Sequence, residues 1–267
     1  MASASVSSNK AKIARRVIEV LEFFDDNHRE ATVMDIVRRY DRPQSSTSEL
    51  LSSLVELGLL HKDPYTRSYS LTARAALLGS SGQPEMVRDG RLVRLMDRLV
   101  AQTGLCVGLF GMVSLDAQIV AWRQGNRSCP PATANLFGGM KEPLARSAMG
   151  WLMLSTVENS RREGMVRRLN SEADPTSKFN HAEMMARIAE SGEQQYAFGP
   201  AGYGSDAETT AALVPRQPEG HPLVIGIIHE RDAKVNPDNL LQCIGDAMRN
   251  CLPDPEASNV QRFPTAA

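Results

Sequence analysis

The chain is poor in the residues and patterns that catalysis and metal binding require. It has five histidines and four cysteines among 267 residues. Cys106, Cys129, Cys243 and Cys251 form no Cys-x-x-Cys pair and no Cys/His cluster, which excludes the usual zinc spacings and gives no disulfide framework. No local motif sets a nucleophile beside a base, so the thiols read as buried and inert. The expectation is a protein that is not an enzyme, with no catalytic residue, no metal and no cofactor. There is no signal peptide and no apolar run of membrane-spanning length, which points to a soluble protein of a reducing compartment, the cytoplasm, with no membrane partner. Internal repeats are absent. So is any excess of charge: the formal net charge is −1, and composition alone does not suggest a nucleic-acid partner.

The distribution of charge says more than the total. Residues 1–80 carry 11 Lys and Arg against 10 Asp and Glu, and residues 81–180 carry 13 against 9. Residues 181–267 carry 6 against 12, so a mildly basic front is balanced by an acidic back. With 42% hydrophobic residues, the chain is long enough to bury two cores. A Gly/Ser/Pro stretch at 78–84 marks the boundary between them. Residues 11–80 form one expected domain and 85–252 the other, with a disordered Ser/Ala-rich lead over 1–10 and a tail over 253–267.

Three helical segments and a hairpin make up the first domain. Residues 12–25 place Ile13, Val17, Val20, Leu21 and Phe24 at three- and four-residue spacing. Residues 32–40 open with Thr-x-x-Asp, a capping-box pattern with Asp where Glu or Gln is usual, and keep Val33, Ile36 and Val37 on one face. Asp41-Arg42-Pro43 then breaks the chain. A third helix follows over 43–58, with Pro43 in its first turn and Gly58 as its C-cap. Residues 59–62 and 68–71 read as strands about a turn at 63–67. Three helices and then a hairpin is the order of a winged helix-turn-helix.

The second domain mixes strands and helices. Residues 85–102 form an amphipathic helix through Val87, Leu92, Leu95, Met96 and Leu99. Strands are expected over 105–113, 118–123, 132–136, 211–214 and 223–229. Helices are expected over 143–157, 158–169, 181–191 and 238–250. Hairpin-linked strands with flanking helices indicate an α+β sheet domain.

The third helix carries the chemistry. At about 100° per residue, Thr47, Leu50, Leu51, Leu54 and Leu57 gather on the side that would pack on the first two helices. Ser45, Ser48, Glu49, Ser52 and Glu56 point the other way, with Gln44 and Ser46 at the flanks. In helix-turn-helix proteins the N-terminal residues of this helix meet base edges in the major groove. Gln bonds adenine bidentately, Ser donates or accepts, and Glu accepts from the cytosine amino group. Tyr65 and Arg67 sit at the hairpin turn, where an arginine can meet phosphate or the minor groove. The DNA-contacting candidates are therefore Gln44, Ser45, Ser46, Ser48, Glu49, Ser52, Tyr65 and Arg67.

The order of these motifs resembles that of IclR-family transcriptional regulators from about residue 11 to 252. Pro43-Gln44-Ser45-Ser46 followed by Leu50-Leu51 is similar to the family's recognition helix, and Arg67-Ser68-Tyr69-Ser70-Leu71 is similar to its wing with one extra residue. Ala101-Gln102-Thr103-Gly104 resembles the family's Glu-Thr-Gly, and Pro143-Leu144 with Gly150 resembles its Pro-Leu-x-x-x-x-Gly helix start with one extra residue. The resemblance implies a winged helix on a palindromic double-stranded operator and a GAF-like α+β effector-binding domain. It also implies a homodimer or homotetramer, contact with RNA polymerase in some cases, and a small organic effector such as an aromatic or carboxylate catabolite. Carried over by position, the effector candidates are Met140, Arg146, Ser147, Ala148, Met149, Asp206 and Thr210. Arg146 stands where the family has a small residue or histidine, and is either a carboxylate partner or an outward-facing arginine. Trp151 stands where the family has a lysine or arginine, and Trp122 where it is less bulky; each is either core or a wall of the pocket.

Two rival readings remain at this point. The lack of catalytic motifs speaks against an enzyme. Glu49 and Glu56, on the surface that would face phosphates, keep open a ligand-sensing protein whose winged helix contacts another protein instead of DNA.

Overall fold

The computed structural model describes residues 9–25, 28–78, 85–126, 130–133, 136–215, 221–231 and 235–252. They form two compact units that divide at Gln83 and Pro84.

In the N-terminal unit, helices α1 (Asn9–Phe23), α2 (Val33–Tyr40) and α3 (Gln44–Glu56) precede a hairpin of β1 (Leu60–Lys62) and β2 (Tyr69–Leu71). Thr32 caps α2, and the Asp35 carboxylate accepts from both its N–H (2.8 Å) and its hydroxyl (2.7 Å). Those bonds hold the Asp35 carboxyl below its ordinary range. The turn into α3 is made by Asp41 in the left-handed conformation (φ 48°), which Asp tolerates better than most residues. Gly58 (φ 70°) closes α3 just beyond its C-cap Leu57. The core is Val20, Ile36, Leu51, Leu54, Leu60 and Tyr69. Two expected core residues are exposed instead: Ile13 lies on the outer side of α1, and Leu57 sits past the last turn of α3. A bridge from Ala31 to Tyr69 adds a third short rung to the wing. A short helix, α4 (Ala73–Leu77), ends this unit.

The C-terminal unit opens with α5 (Glu85–Arg88) and α6 (Arg91–Thr103), the expected single helix broken at Gly90 (φ 73°). Six antiparallel strands follow: β3 (Cys106–Val113), β4 (Asp116–Arg123), β5 (Lys141–Pro143), β6 (Tyr196–Gly202), β7 (Ser205–Leu213) and β8 (Leu223–His229), in the spatial order β5-β4-β3-β8-β7-β6. The period-2 alternation of the central strands divides the core. Val107, Leu109, Ala212, Ile225 and Ile227 meet α6 and α10 (Pro237–Cys251) on one face. Phe110, Ile119, Ala211, Val224 and Ile228 meet α7 (Ala148–Ser155) on the other.

Seven of the eight residues of α7 are buried. Beneath the sheet it is enclosed by α8 (Asn159–Glu172) and α9 (His181–Gln194). An apolar helix so enclosed must satisfy its end groups from within the protein. Ser147 Oγ accepts from Gly150 N at the start (3.3 Å). At the other end the Arg162 guanidinium donates to the carbonyls of Leu154, Ser155 and Val157.

Several expected elements differ. The strand expected over 132–136 is a 3-10 turn, Pro131–Thr133, and residues 134 and 135 lie outside the described ones. The helix expected over 143–157 is instead the end of β5, a 3-10 turn (Leu144–Arg146) and α7. The strand expected from 211 begins at Ser205. Cys106, expected as a free buried thiol, is disulfide-bonded, while Cys243 and Cys251 are free and half-buried and Cys129 lies outside the described residues. The lead over 1–8 and the tail over 253–267 also lie outside them.

Candidate functional site

In the N-terminal unit, α1 fixes the start of α3. Arg42 pairs with Glu19 (3.1 Å), Tyr40 donates to the Glu19 carbonyl (2.7 Å), and Arg16 donates to Ser46 Oγ (3.1 Å). Ser46 also donates to the Pro43 carbonyl (3.2 Å). Of the expected contact residues on α3, Ser46 is thus half-buried and engaged within the unit. Gln44, Ser45, Glu49 and Ser52 are exposed and Ser48 is half-exposed, opposite the buried Thr47, Leu51 and Leu54. The face expected to meet base edges is open along its length.

The wing tip is held by its own backbone. Asp63 Oδ1 accepts from the N–H groups of Tyr65 (2.7 Å) and Thr66 (2.8 Å), which keeps its carboxyl below the ordinary range. Arg67 closes the turn with φ 57°, and Ser68 Oγ donates to Glu30 (2.9 Å). Tyr65 is 93% exposed and Arg67 is exposed. An aromatic ring and a guanidinium therefore project from a rigid loop.

The C-terminal unit holds a cavity of about 770 Å³, within the range of small-molecule sites. It opens between the 3-10 turn 144–146, helices α8 and α9, and the β6–β7 hairpin. Leu169, Phe179, Met184 and Trp151 supply its apolar wall. Trp151 is 8% exposed, its Nε1 donates to the Ala145 carbonyl (3.1 Å), and the Arg187 guanidinium lies over its ring at 5.3 Å. Arg146 is exposed, donates to Ser177 Oγ (3.0 Å) and lies 3.8 Å from Asp174.

One buried carboxylate faces this space. Glu142, on β5, is 6% exposed; its Oε2 accepts from the backbone N–H of Tyr203, and its Oε1 has no hydrogen-bond partner among the described residues. Burial pushes its carboxyl up to about 7, against the pull of the Tyr203 N–H and the Arg146 charge. Tyr203 and Gly204 (φ 54° and 72°) are the central pair of the tight β6–β7 turn, with the positive φ values of a type I′ hairpin. The Tyr203 hydroxyl donates to the Ala117 carbonyl on β4 (2.9 Å).

Residues 14–64 match the family model of the IclR helix-turn-helix domain. Over that stretch the N-terminal unit is similar to an IclR helix-turn-helix domain. The chain also has the fold of solved IclR proteins. A transcriptional regulator from Alicyclobacillus acidocaldarius is 19% identical over 92% of this chain and 97% of that one, with a TM-score of 0.57. The IclR of Thermotoga maritima is 15% identical over 90% and 95% (TM-score 0.56). An IclR homolog from Microbacterium hydrocarbonoxydans, complexed with 4-hydroxybenzoate, is 16% identical over 90% and 97% (TM-score 0.57). At such identities the likeness is one of fold. No curated protein matches the chain.

Among the effector candidates that the IclR resemblance implied, only Arg146 lines the cavity. Ser147 is spent as the cap of α7, and Ala148 and Met149 are fully buried within the core beneath the sheet. Met140 is half-buried against that core, and Asp206 is exposed on β7. Thr210 is fully buried, has the same strand parity as Ala212, and so faces α6 and α10; its hydroxyl lies 3.4 Å from His229 Nε2. Trp151 is a cavity wall, whereas Trp122 is half-exposed on β4 with its Nε1 donating to Gln124 (3.3 Å). Glu142 was missed. Its only signal in the sequence is a carboxylate immediately before the Pro-Leu motif.

Proposed function

We propose that this protein is a ligand-responsive transcriptional regulator whose IclR-type winged helix reads a palindromic operator and whose C-terminal cavity takes a small organic effector. The exposed polar edge at the N-terminal half of α3 carries the reading. Gln44, Ser45 and Ser48 meet base edges, Glu49 accepts from a cytosine amino group, and Ser52 lies further along the same face. Tyr65 and Arg67 at the wing reach the adjoining backbone or minor groove. Ser46 acts through α1, holding the helix start in register. Two copies on two half-sites make the operator symmetric, and the exposed Ile13 and Ile18 of α1 offer apolar surface for such pairing. The apolar, Trp-lined wall of the cavity supports an aromatic effector. A carboxylate group on it has less support, because Arg146 already meets Asp174 and Ser177.

The test is a promoter footprint with the Gln44→Ala/Ser45→Ala/Ser48→Ala triple variant. Operator protection is lost while dimerisation and the circular-dichroism spectrum are kept. Arg67→Ala, run in parallel, lowers the salt dependence of DNA binding by about one phosphate contact and leaves sequence preference unchanged. A triple variant that protects the same footprint would end the recognition-helix assignment.

A further inference from the structure

The charged groups around the cavity differ in what they still lack. Arg146, Glu172, Asp174 and Arg187 are exposed and Asp116 is half-exposed, so water or a neighbour completes each of them. Glu172 pairs with Arg168 (2.7 Å), and Arg187 rests on Trp151. Glu142 alone among them is buried, and half of its carboxylate is unused. A buried carboxylate oxygen without a partner carries an uncompensated desolvation cost, and a charged N–H donor relieves it best. The carboxylate is also fixed in place. The Tyr203 N–H holds Oε2, and Oε1 stands so close over Gly202 that a Cβ there would come within 1.8 Å of it. A side chain at 202 would strike the carboxylate, so the glycine at this turn is what admits Glu142 to its place in the cavity wall.

We infer that the cavity binds a small organic cation, an ammonium group on an aromatic body, with Glu142 Oε1 accepting the ammonium N–H and Trp151, Phe179, Leu169 and Met184 covering the ring. This deepens the reading of the cavity as an effector site and rests on it. The solvated arginines at the rim gain little from a carboxylate ligand, whereas the buried acid gains its missing partner from an amine. Burial raises the Glu142 carboxyl, so an amine binds best where that group is ionised, near pH 8.

The experiment uses three probes of one shape on the full-length protein at pH 8: 2-phenylethylamine, 2-phenylethanol and 3-phenylpropionate. Titrations are followed by calorimetry and by tryptophan fluorescence, which senses Trp151. The amine is expected to bind at least about tenfold more tightly than the alcohol or the acid. Glu142→Gln removes that preference, and Glu142→Asp, which keeps the charge, retains part of it. Equal or tighter binding of the acid, absence of saturable amine binding, or a preference that survives Glu142→Gln would each overturn the inference. DNA retention is measured in the same samples. Amine binding without any change in DNA affinity refutes the effector reading while keeping the cation site. A DNA response to the acid alone does the reverse.

Discussion

Glu142 makes the stability of the C-terminal unit depend on pH in an unusual direction for a carboxylate. Its carboxyl is raised from an ordinary value of 4.5 to about 7, so between those values the folded state keeps a proton that the unfolded chain has released. Stability contributed by this group is therefore present at low pH and lost as pH rises through about 7. The loss amounts to about 3 kcal/mol at full ionisation. The neighbours acting on it are Arg146 and the Tyr203 N–H, which favour the charge, with Asp116 and Tyr203 further along the same cluster. Glu142→Gln should match the wild type at pH 5 and exceed it at pH 8 in urea midpoint. An unchanged difference between the two proteins across that range would remove burial as the cause. The sequence gives little warning of this residue, because what buries it is a hairpin 61 positions later.

At the scale of elements, the Pro143-Leu144 start of α7 with its glycine at Gly150 has a geometric reason. A Cβ on Gly150 would lie 1.9 Å from the Leu144 carbonyl oxygen, which is backbone and cannot swing aside. Gly150→Ala is therefore expected to destabilise the protein by about 1–3 kcal/mol. Gly164, exposed on α8 with nothing within 4 Å of a Cβ, should respond oppositely to the same substitution, gaining about 0.5–1 kcal/mol. Thermal denaturation of the two variants side by side checks both signs. Elements with local signals were legible in the chain: Thr32 with Asp35, Pro43, Gly58 and the leucine spacing of α3 define the helix-turn-helix without reference to anything distant. The two edge strands were not. Lys141–Pro143 and Tyr196–Gly202 each contain a proline and too few apolar residues to alternate, and an edge position tolerates both. The long strands β3 and β8 were found because burial on both faces makes them continuously apolar.

For the whole molecule, the division near residue 83 falls at the Gly/Ser/Pro stretch, whereas the charge does not follow it: the basic excess of residues 81–180 and the acidic excess of 181–267 lie in the same C-terminal unit. The cavity was the least legible part: the candidates carried over by position gather at the buried N-terminus of α7, and the open space lies beside Trp151 and Glu142. The six-stranded sheet adds a kinetic consequence. Tyr203, at the tip of the β6–β7 hairpin at one end of the strand order, bonds Glu142 on β5 and Ala117 on β4 at the other end. These contacts join residues 61 and 86 positions apart, a longer closure than the local hairpins β3–β4 and β6–β7 require, so they are expected to form after those two hairpins have paired. Tyr203→Phe, which loses only the Ala117 bond, should then speed unfolding far more than it slows refolding in stopped-flow experiments. The sheet behaves as a hoop, and the cavity, lined by Glu142 from one end and by Gly202 and Gly204 from the other, exists only once its clasp has closed.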